Sequence, residues 1–397
     1  MITKKKEYLF ILLFSCCVIL YLLDSEFFWK ITNTPYVTSE SILAATVKKI
    51  AISSNKFYDL RYLQYIAGYI DSVFLPSDIL YNAYKYHGSE MVINYPRIWI
   101  IISHYSNIQS DTVLYSTYAI FFLLYSYIFL NFSKKFQSYF FCYLFICGSN
   151  LLLLERGNVD FIIIVLIFYT FLSKFKFLQY LGFLIVSCLK IYPAFSLLFF
   201  LKNKKSVIYI VLLSLIFLIY LLIIKNDIKN ISIVNPINGN SSYGFLSIII
   251  NLEKYLNISL NYILFVSLNI LLLLTMYFKF FIKKLNETNL SNSNIFLLGG
   301  GIFIFTFIIN THHDYRMMFL IFCVPLLLKL KNSFLKLFSL LILILSLELQ
   351  RLLFLFGFYG GLINSVAKLT LFYIIGIFYI HLLYSFMNKN FLKETKS

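Results

Sequence analysis

Five arginines are the residues of this sequence best suited to bind an anionic group. They lie between the long apolar runs, at Arg61, Arg97, Arg156, Arg316 and Arg351. A guanidinium presents a planar fork of donors that grips phosphate or carboxylate through two parallel hydrogen bonds, whereas the lysine ammonium acts as a point charge. The arginines therefore predict an anionic ligand. Local ion pairing is the alternative, because Asp59, Glu155, Asp314 and Glu348 each lie within a few residues of an arginine.

The elements that position these arginines are predicted to be membrane-spanning helices. The sequence is 60% hydrophobic and only 13% charged, and a soluble chain of 397 residues could not bury that much apolar surface in one core. Apolar runs of membrane length recur from end to end, separated by short polar breaks. We therefore expect an all-α fold, a polytopic transmembrane helical bundle forming a single integral membrane domain over residues 1–397.

The net charge of +17 is predicted to set membrane orientation, not nucleic-acid binding, because the lysines cluster between apolar runs. With the lysine-rich breaks placed inside, the number of passages between them is always even. Both termini are then cytoplasmic, and the first run after Lys4, Lys5 and Lys6 is an uncleaved span. About 12 passages are expected, at 8–23, 112–132, 138–154, 160–173, 178–190, 193–201, 207–224, 259–281, 294–310, 317–328, 337–349 and 365–386.

The outward face of this topology collects the polar chemistry of the chain. It contains two long segments, 24–111 and 225–258, and several tight turns. All five arginines fall on this face, where the orientation bias disfavours them. The six cysteines lie inside apolar runs without metal-ligand spacing, so we expect them to be packing residues.

Five short motifs, taken in order, carry a family resemblance that runs through most of the chain. They are Asp59-Leu60-Arg61, Asn94-Tyr95-Pro96-Arg97-Ile98-Trp99, Glu155-Arg156-Gly157-Asn158-Val159-Asp160, Leu189-Lys190-Ile191-Tyr192-Pro193 and Asp314-Tyr315-Arg316. In their order and spacing they resemble bacterial membrane proteins related to the polyprenyl-phosphate-dependent α-mannosyltransferases of the glycosyltransferase C superfamily.

The resemblance implies a glycosyltransferase C-like fold and a sugar transferase in the bacterial cytoplasmic (inner) membrane. The donor would be a polyprenyl-phosphate sugar, and the acceptor a glycan or glycolipid at the outer face. Asp59 matches the acidic general base of that superfamily. Substrate-binding residues are expected in the other motifs, at Arg61, Asn94, Tyr95, Arg97, Glu155, Arg156, Asn158, Asp160, Lys190, Tyr192, His313, Asp314 and Arg316.

Displacement at an anomeric carbon agrees with these assignments. It needs a carboxylate to accept the acceptor proton and cations to stabilise the departing phosphate. Arg97, Arg156, Lys190 and Arg316 are the candidate cations. No cofactor is expected, although a carboxylate at Asp160 or Asp314 could bind a divalent metal.

Other interpretations of the same residues stay open. Asp59 could be one solvated charge among several in its segment. Glu155 and Asp160 could cap helix ends, and Lys190 could extend to the membrane interface. A transporter or flippase for a lipid-linked or anionic solute is the alternative function, and a scaffold for polysaccharide assembly is a third. Gly299, Gly300 and Gly301 predict a close helix crossing.

Overall fold

A computed structural model describes residues 63, 66–67, 96–201, 204–234, 242–256, 259–281, 293–309, 312–356 and 358–388. Of the described residues, 86% are helical, which confirms the all-α prediction. The first predicted passage, 8–23, and most of the outward segment 24–111 lie outside the described residues.

Between Ile98 and Val234, the described chain forms eight α-helices and one 3-10 helix. They are α1 Ile98–Tyr105, α2 Asp111–Phe136, α3 Phe140–Ile146, α4 Gly148–Arg156, α5 Asp160–Phe171, α6 Lys176–Leu189, the first 3-10 helix Tyr192–Phe200, α7 Lys204–Ile223 and α8 Lys225–Val234.

The second half adds two short strands to its helices. The elements are β1 Ser242–Tyr243, α9 Phe245–Leu256, α10 Tyr262–Met276 with a π-helical end at Tyr277–Phe281, α11 Ser293–Ile309, β2 His312–His313, the second 3-10 helix Asp314–Phe322, α12 Val324–Leu328, α13 Ser333–Leu347, α14 Leu349–Phe356 and α15 Phe358–Met387. The strands pair antiparallel, with Ser242 opposite His313 and Tyr243 opposite His312.

The chain packs as two compact units that alternate along the sequence. Unit 1 comprises Met1–Ile146, Leu151–Ile191 and Leu215–Pro236. Unit 2 comprises Cys147–Asn150, Tyr192–Ser214 and Ile237–Ser397.

Four helices of the described chain are long and apolar enough to cross a membrane. They are Thr112–Phe136, Lys205–Ile223, Tyr262–Lys279 and Tyr359–Met387. At about 1.5 Å of rise per residue, the shortest of them, with 18 residues, extends about 27 Å, close to the thickness of a hydrocarbon core. By length and composition, the chain therefore has the helices of an integral membrane protein.

Polar side chains fix where several of these helices begin and end. Asn261 accepts a hydrogen bond from the Leu264 amide at 3.1 Å and so caps α10, and Asn332 caps α13 in the same way through Leu335. Helix α2 ends with Lys134 and Lys135 in its last turn, where cations interact favourably with the helix dipole.

The glycine cluster of α11 lies at close backbone crossings within unit 2. A Cβ at Gly299 would lie 2.5 Å from the carbonyl oxygen of Phe319, and one at Gly301 would lie 2.3 Å from that of Phe195. No side chain fits at such distances, so the two 3-10 helices can approach α11 only where glycine stands. The predicted close crossing is confirmed.

Candidate functional site

The Glu155–Asp160 motif of unit 1 is a helix-to-helix turn. Helix α4 ends as Asn158 N–H donates to the Leu153 carbonyl at 3.2 Å and Gly157 N–H donates to the Leu154 carbonyl at 3.0 Å. Gly157 has a φ of 57°, the left-handed conformation that this ending requires. The Asn158 side chain then accepts from the Asp160 amide at 2.9 Å, which starts α5.

This turn places the Asp160 carboxylate next to the Lys190 ammonium. The two side chains form an ion pair in which 0% of Asp160 and 7% of Lys190 is exposed. Asp160 lies in the first turn of α5, and Lys190 follows the last residue of α6. Each charge therefore lies at the helix end whose dipole favours it. The structure brings together two residues that the sequence assigned to different motifs.

The C-terminal end of α6 is closed by side chains from other elements of unit 1. Trp99 Nε1 donates to the Leu189 carbonyl at 2.8 Å, and the Tyr220 hydroxyl donates to the Cys188 carbonyl at 2.7 Å. Carbonyls at a helix end lack partners within the helix, so these bonds satisfy groups that burial would otherwise leave unpaired. Trp99, only 4% exposed, is therefore a buried cap of α6.

Arg97 forms a second ion pair in unit 1, with Asp227 of α8. Its Nε lies 2.8 Å from Oδ2, and one terminal nitrogen lies 2.9 Å from Oδ1, which is the bidentate geometry that arginine favours. The Asp227 side chain is 4% exposed and that of Arg97 is 23% exposed. Arg97 therefore has a partner that lies 130 positions away in the sequence.

Arg316 and Tyr192 meet in unit 2. The guanidinium carbon of Arg316 lies 5.1 Å from the centroid of the Tyr192 ring, within the range of a cation–π interaction. Tyr192 is itself buried, with its ring against Phe319, while Arg316 is half-buried. The aromatic face thus fixes an arginine that still reaches the surface of the unit.

Asp314, two residues before Arg316, pairs with Lys368 of α15. Lys368 Nζ lies 2.7 Å from Asp314 Oδ1 and donates to the Ser242 carbonyl at 3.0 Å. Burial raises the pKa of the Asp314 carboxyl above its usual value, although the Lys368 ammonium opposes this shift. The local pairing of Asp314 with Arg316, one alternative from the sequence, is replaced by a pairing with a distant lysine.

The Glu348 carboxylate also acts at a helix end. Gly148 N–H, at the start of α4, donates to Glu348 Oε2 at 3.2 Å, and the Ser149 hydroxyl donates to the Leu347 carbonyl at 3.0 Å. An anion at a helix N-terminus satisfies free amides and is favoured by the dipole. Glu348, which lies three residues before Arg351, is therefore engaged by α4.

The structure does not describe the side chains of seven predicted site residues. Four of them fall outside the described residues, namely Asp59, Arg61, Asn94 and Tyr95. The backbone of three more is described without their side chains, namely Glu155, Arg156 and His313. The predicted general base therefore stays a prediction.

Two site residues were missed at the level of sequence. Asp227 lies among lysines and asparagines in a polar helix, where a carboxylate resembles an ordinary solvated charge. Lys368 did carry a signal, because a single charge inside a long apolar run must find a partner.

Among the described residues, no group of three or more histidine, cysteine, aspartate or glutamate side chains comes together. Asp160 and Asp314, the carboxylates considered for a divalent metal, are each engaged by a lysine. Metal binding at either residue would have to displace a buried ammonium.

Comparison with protein-family models, with curated proteins and with solved structures gave no match to this chain.

Proposed function

We propose that this chain is a membrane glycosyltransferase of the glycosyltransferase C type, with about 12 membrane passages. It would take a sugar from a polyprenyl-phosphate donor and transfer it to a glycan or glycolipid acceptor at the outer face of the bacterial cytoplasmic membrane. The acceptor hydroxyl would attack the anomeric carbon, and the bond from that carbon to the phosphate oxygen would break. Asp59 would take the hydroxyl proton, and polyprenyl phosphate would leave.

The observation that carries the proposal is the meeting of Asp160 and Lys190. These residues come from two of the five motifs on which the resemblance rests, and they form a buried ion pair at facing helix ends. This contact explains why both motifs, although distant in sequence, carry a charged residue: each supplies one partner of the ion pair. It supports treating the residues of these two motifs as one set and not as unrelated loop charges.

The ion pairs refine which cation would bind the donor phosphate. Lys190 is almost completely buried against Asp160, and Arg97 is held by both oxygens of Asp227. Arg316 is only half-buried and lies on an aromatic face at the surface of unit 2, where a phosphate can reach its guanidinium. We therefore assign donor-phosphate binding first to Arg316.

One observation favours the alternative function, a transporter or flippase. Lys368 lies about 14 Å along the helix from Tyr359, the first residue of its candidate span, so this charge is well inside the span. Transport sites are marked by such intramembrane charges. In that case the lipid-linked solute would cross the membrane with its phosphate bond intact.

Both functions are tested with purified protein in lipid nanodiscs and in proteoliposomes. A labelled polyprenyl-phosphate hexose is offered with a panel of glycan and glycolipid acceptors, and released polyprenyl phosphate is measured. We expect acceptor-dependent release, which Asp59→Asn abolishes without changing the thermal unfolding temperature. Asp71→Asn and Asp78→Asn, in the same segment, are matched controls that should retain turnover.

The outcomes separate the hypotheses. Turnover that survives Asp59→Asn and is lost in a control variant would move the general base to that control position. Absence of release with every donor and acceptor would overturn the transferase. Movement of the intact lipid-linked sugar across the proteoliposome membrane would support the flippase instead.

A further inference from the structure

The turn between α5 and α6 in unit 1 presents two lysines and two phenylalanines in alternation. Its residues are Lys174, Phe175, Lys176 and Phe177, and all four side chains are exposed. The two phenylalanines are 71% and 72% exposed, among the highest values for large apolar residues in the described chain. Exposed apolar surface of this kind marks a contact with a membrane or with another molecule.

This turn is held in a defined shape by its own hydrogen bonds. The Phe175 amide donates to the Ser173 hydroxyl at 3.1 Å, and the buried Gln179 side chain donates from Nε2 to the Ser173 carbonyl at 2.6 Å. The Gln179 amide donates to the Phe175 carbonyl at 3.2 Å, at the start of α6. The exposed lysines and phenylalanines therefore stand on a backbone that the fold fixes from both sides.

The apolar surface of the turn continues along α6. Leu178, Leu181 and Ile185 are exposed, and their spacing of three and four residues places them on one face of the helix. Gln179 and Phe183, on the other side of the helix, are buried in unit 1. The two lysines of the turn thus lie at one end of an exposed apolar stripe.

The two lysines have no internal partner within the described part of the chain. Neither forms an ion pair there, and the sequence contains no aspartate or glutamate between Asp160 and Asp227. The N-terminal end of a helix dipole is positive, so cations at the start of α6 are disfavoured by their own helix. Lys134 and Lys135 differ, because they lie at the end of α2, where the dipole favours them. The lysines of the turn therefore call for an anion from outside the chain.

We propose that the α5–α6 turn binds anionic phospholipids. One phospholipid molecule offers a phosphate to Lys174 and Lys176 and acyl chains to Phe175, Phe177 and the exposed stripe of α6. A soluble protein fits this surface less well, because the stripe that continues from the turn has the apolar character of a lipid contact. The inference goes beyond the proposed transferase, since it requires neither a sugar donor nor turnover.

The test places a fluorescent reporter in the turn of the full-length protein, reconstituted in lipid bilayers. Emission from Phe175→Trp is quenched by phospholipids brominated on their acyl chains, and anionic phosphatidylglycerol is compared with zwitterionic phosphatidylcholine at equal mole fractions. Emission from the native tryptophans, measured in the wild type, is subtracted. Ile120→Trp is the matched control, because Ile120 is 58% exposed on α2 of the same unit, with no basic residue in the adjacent helical turns.

Phe175→Trp should show a binding constant for phosphatidylglycerol about 5- to 25-fold above that for phosphatidylcholine, because each lysine near an anionic membrane surface contributes about a fivefold preference. Adding Lys174→Gln/Lys176→Gln should lower this ratio to about one, while quenching by phosphatidylcholine persists. Ile120→Trp should be quenched equally by the two lipids. Sodium chloride at about 1 M should reduce the preference, because it shortens the Debye length to about 3 Å.

Equal quenching of Phe175→Trp by the two lipids would overturn the inference, as would a preference that survives the loss of both lysines. Absence of quenching by either lipid would also overturn it and would place the turn against water or a protein. If inorganic phosphate abolishes the preference more effectively than sodium chloride of the same ionic strength, the lysines bind a free anion and the lipid assignment is wrong. If Phe175→Trp does not fold, Phe177→Trp carries the reporter with the same expected ratios.

Discussion

Asp160 and Lys190 lie 30 positions apart in the sequence and form an ion pair that is closed off from solvent. The carboxylate lies at the start of α5 and the ammonium just after the end of α6. The pair therefore connects the start of the first helix of this hairpin to the end of the second. Trp99 and Tyr220 complete the same end by donating to carbonyls of α6. The polar motifs of unit 1 thus have a structural use whatever reaction the protein performs.

The first prediction concerns removal of one partner of this pair. Asp160→Asn or Lys190→Met leaves an uncompensated buried charge and should destabilise the protein by about 3–5 kcal/mol. The double variant Asp160→Leu/Lys190→Met leaves no charge and should be near neutral in stability. Thermal unfolding in detergent measures both. Single variants as stable as the wild type would show that the pair is open to water.

The double variant also separates stability from function. A protein that folds as well as the wild type but no longer releases polyprenyl phosphate would assign Asp160 and Lys190 a part in the reaction. Full turnover in the same variant would restrict the pair to a structural role.

The second prediction concerns the bidentate geometry of Arg97 and Asp227. Arg97→Lys keeps the charge but cannot reproduce two parallel hydrogen bonds, so it should lose most of the stability lost by Arg97→Ala. A double-mutant cycle with Asp227→Ala should give a coupling energy of about 1–3 kcal/mol, measured by denaturant or thermal unfolding. A coupling near zero would mean that the two side chains do not stabilise each other in the membrane-embedded protein.

The sequence predicted the helical class of this chain because apolar run length is a local property. It also predicted the glycine crossing of α11, because three consecutive glycines in an apolar helix have few other uses. The ion-pair partners of the charged side chains could not be predicted in the same way. Which carboxylate meets Arg97 depends on where α8 packs, and nothing in the residues around Asp227 distinguishes it from a solvated acid.

Three of the predicted apolar passages, 160–173, 193–201 and 317–328, are shorter than the roughly 20 residues that a helix needs to cross a membrane. The structure forms 3-10 helices at Tyr192–Phe200 and Asp314–Phe322. A 3-10 helix rises about 2.0 Å per residue, so nine residues extend about 18 Å, still short of a hydrocarbon core. The length of these runs predicted that they are short, but it did not predict the 3-10 geometry of the two segments that pack against the glycines of α11.

The third prediction uses the glycines of α11. Gly301→Ala places a Cβ 2.3 Å from a backbone oxygen that cannot move without its helix, so it should destabilise the protein by at least about 1–3 kcal/mol. Gly300→Ala is the matched control, because its Cβ would meet only side-chain atoms, the nearest at 3.3 Å. Thermal unfolding should rank Gly301→Ala well below Gly300→Ala, and equal losses would contradict the close crossing.

The fourth prediction concerns the aromatic support of Arg316. Tyr192→Leu removes the ring and with it a cation–π interaction of about 0.5–2 kcal/mol, so KM for the lipid donor should rise about 2- to 30-fold. Tyr192→Phe keeps the ring and should preserve KM. The comparison is made by steady-state kinetics on variants with matched unfolding temperatures. A loss in Tyr192→Phe as large as that in Tyr192→Leu would assign the effect to the hydroxyl.

The fifth prediction concerns the orientation of the chain, on which an outward-facing site depends. In a variant without the six native cysteines, Gln109→Cys and Asn226→Cys, one in each outward segment, should react with a membrane-impermeant maleimide in intact cells. Lys135→Cys and Lys331→Cys, which are also exposed in the structure, should react only after permeabilisation, because lysine-rich breaks are retained inside. The opposite pattern would place Arg97 and Arg316 in the cytosol. A transferase using a cytosolic nucleotide-linked donor would then be the better hypothesis, because an outer-leaflet lipid phosphate could not reach them.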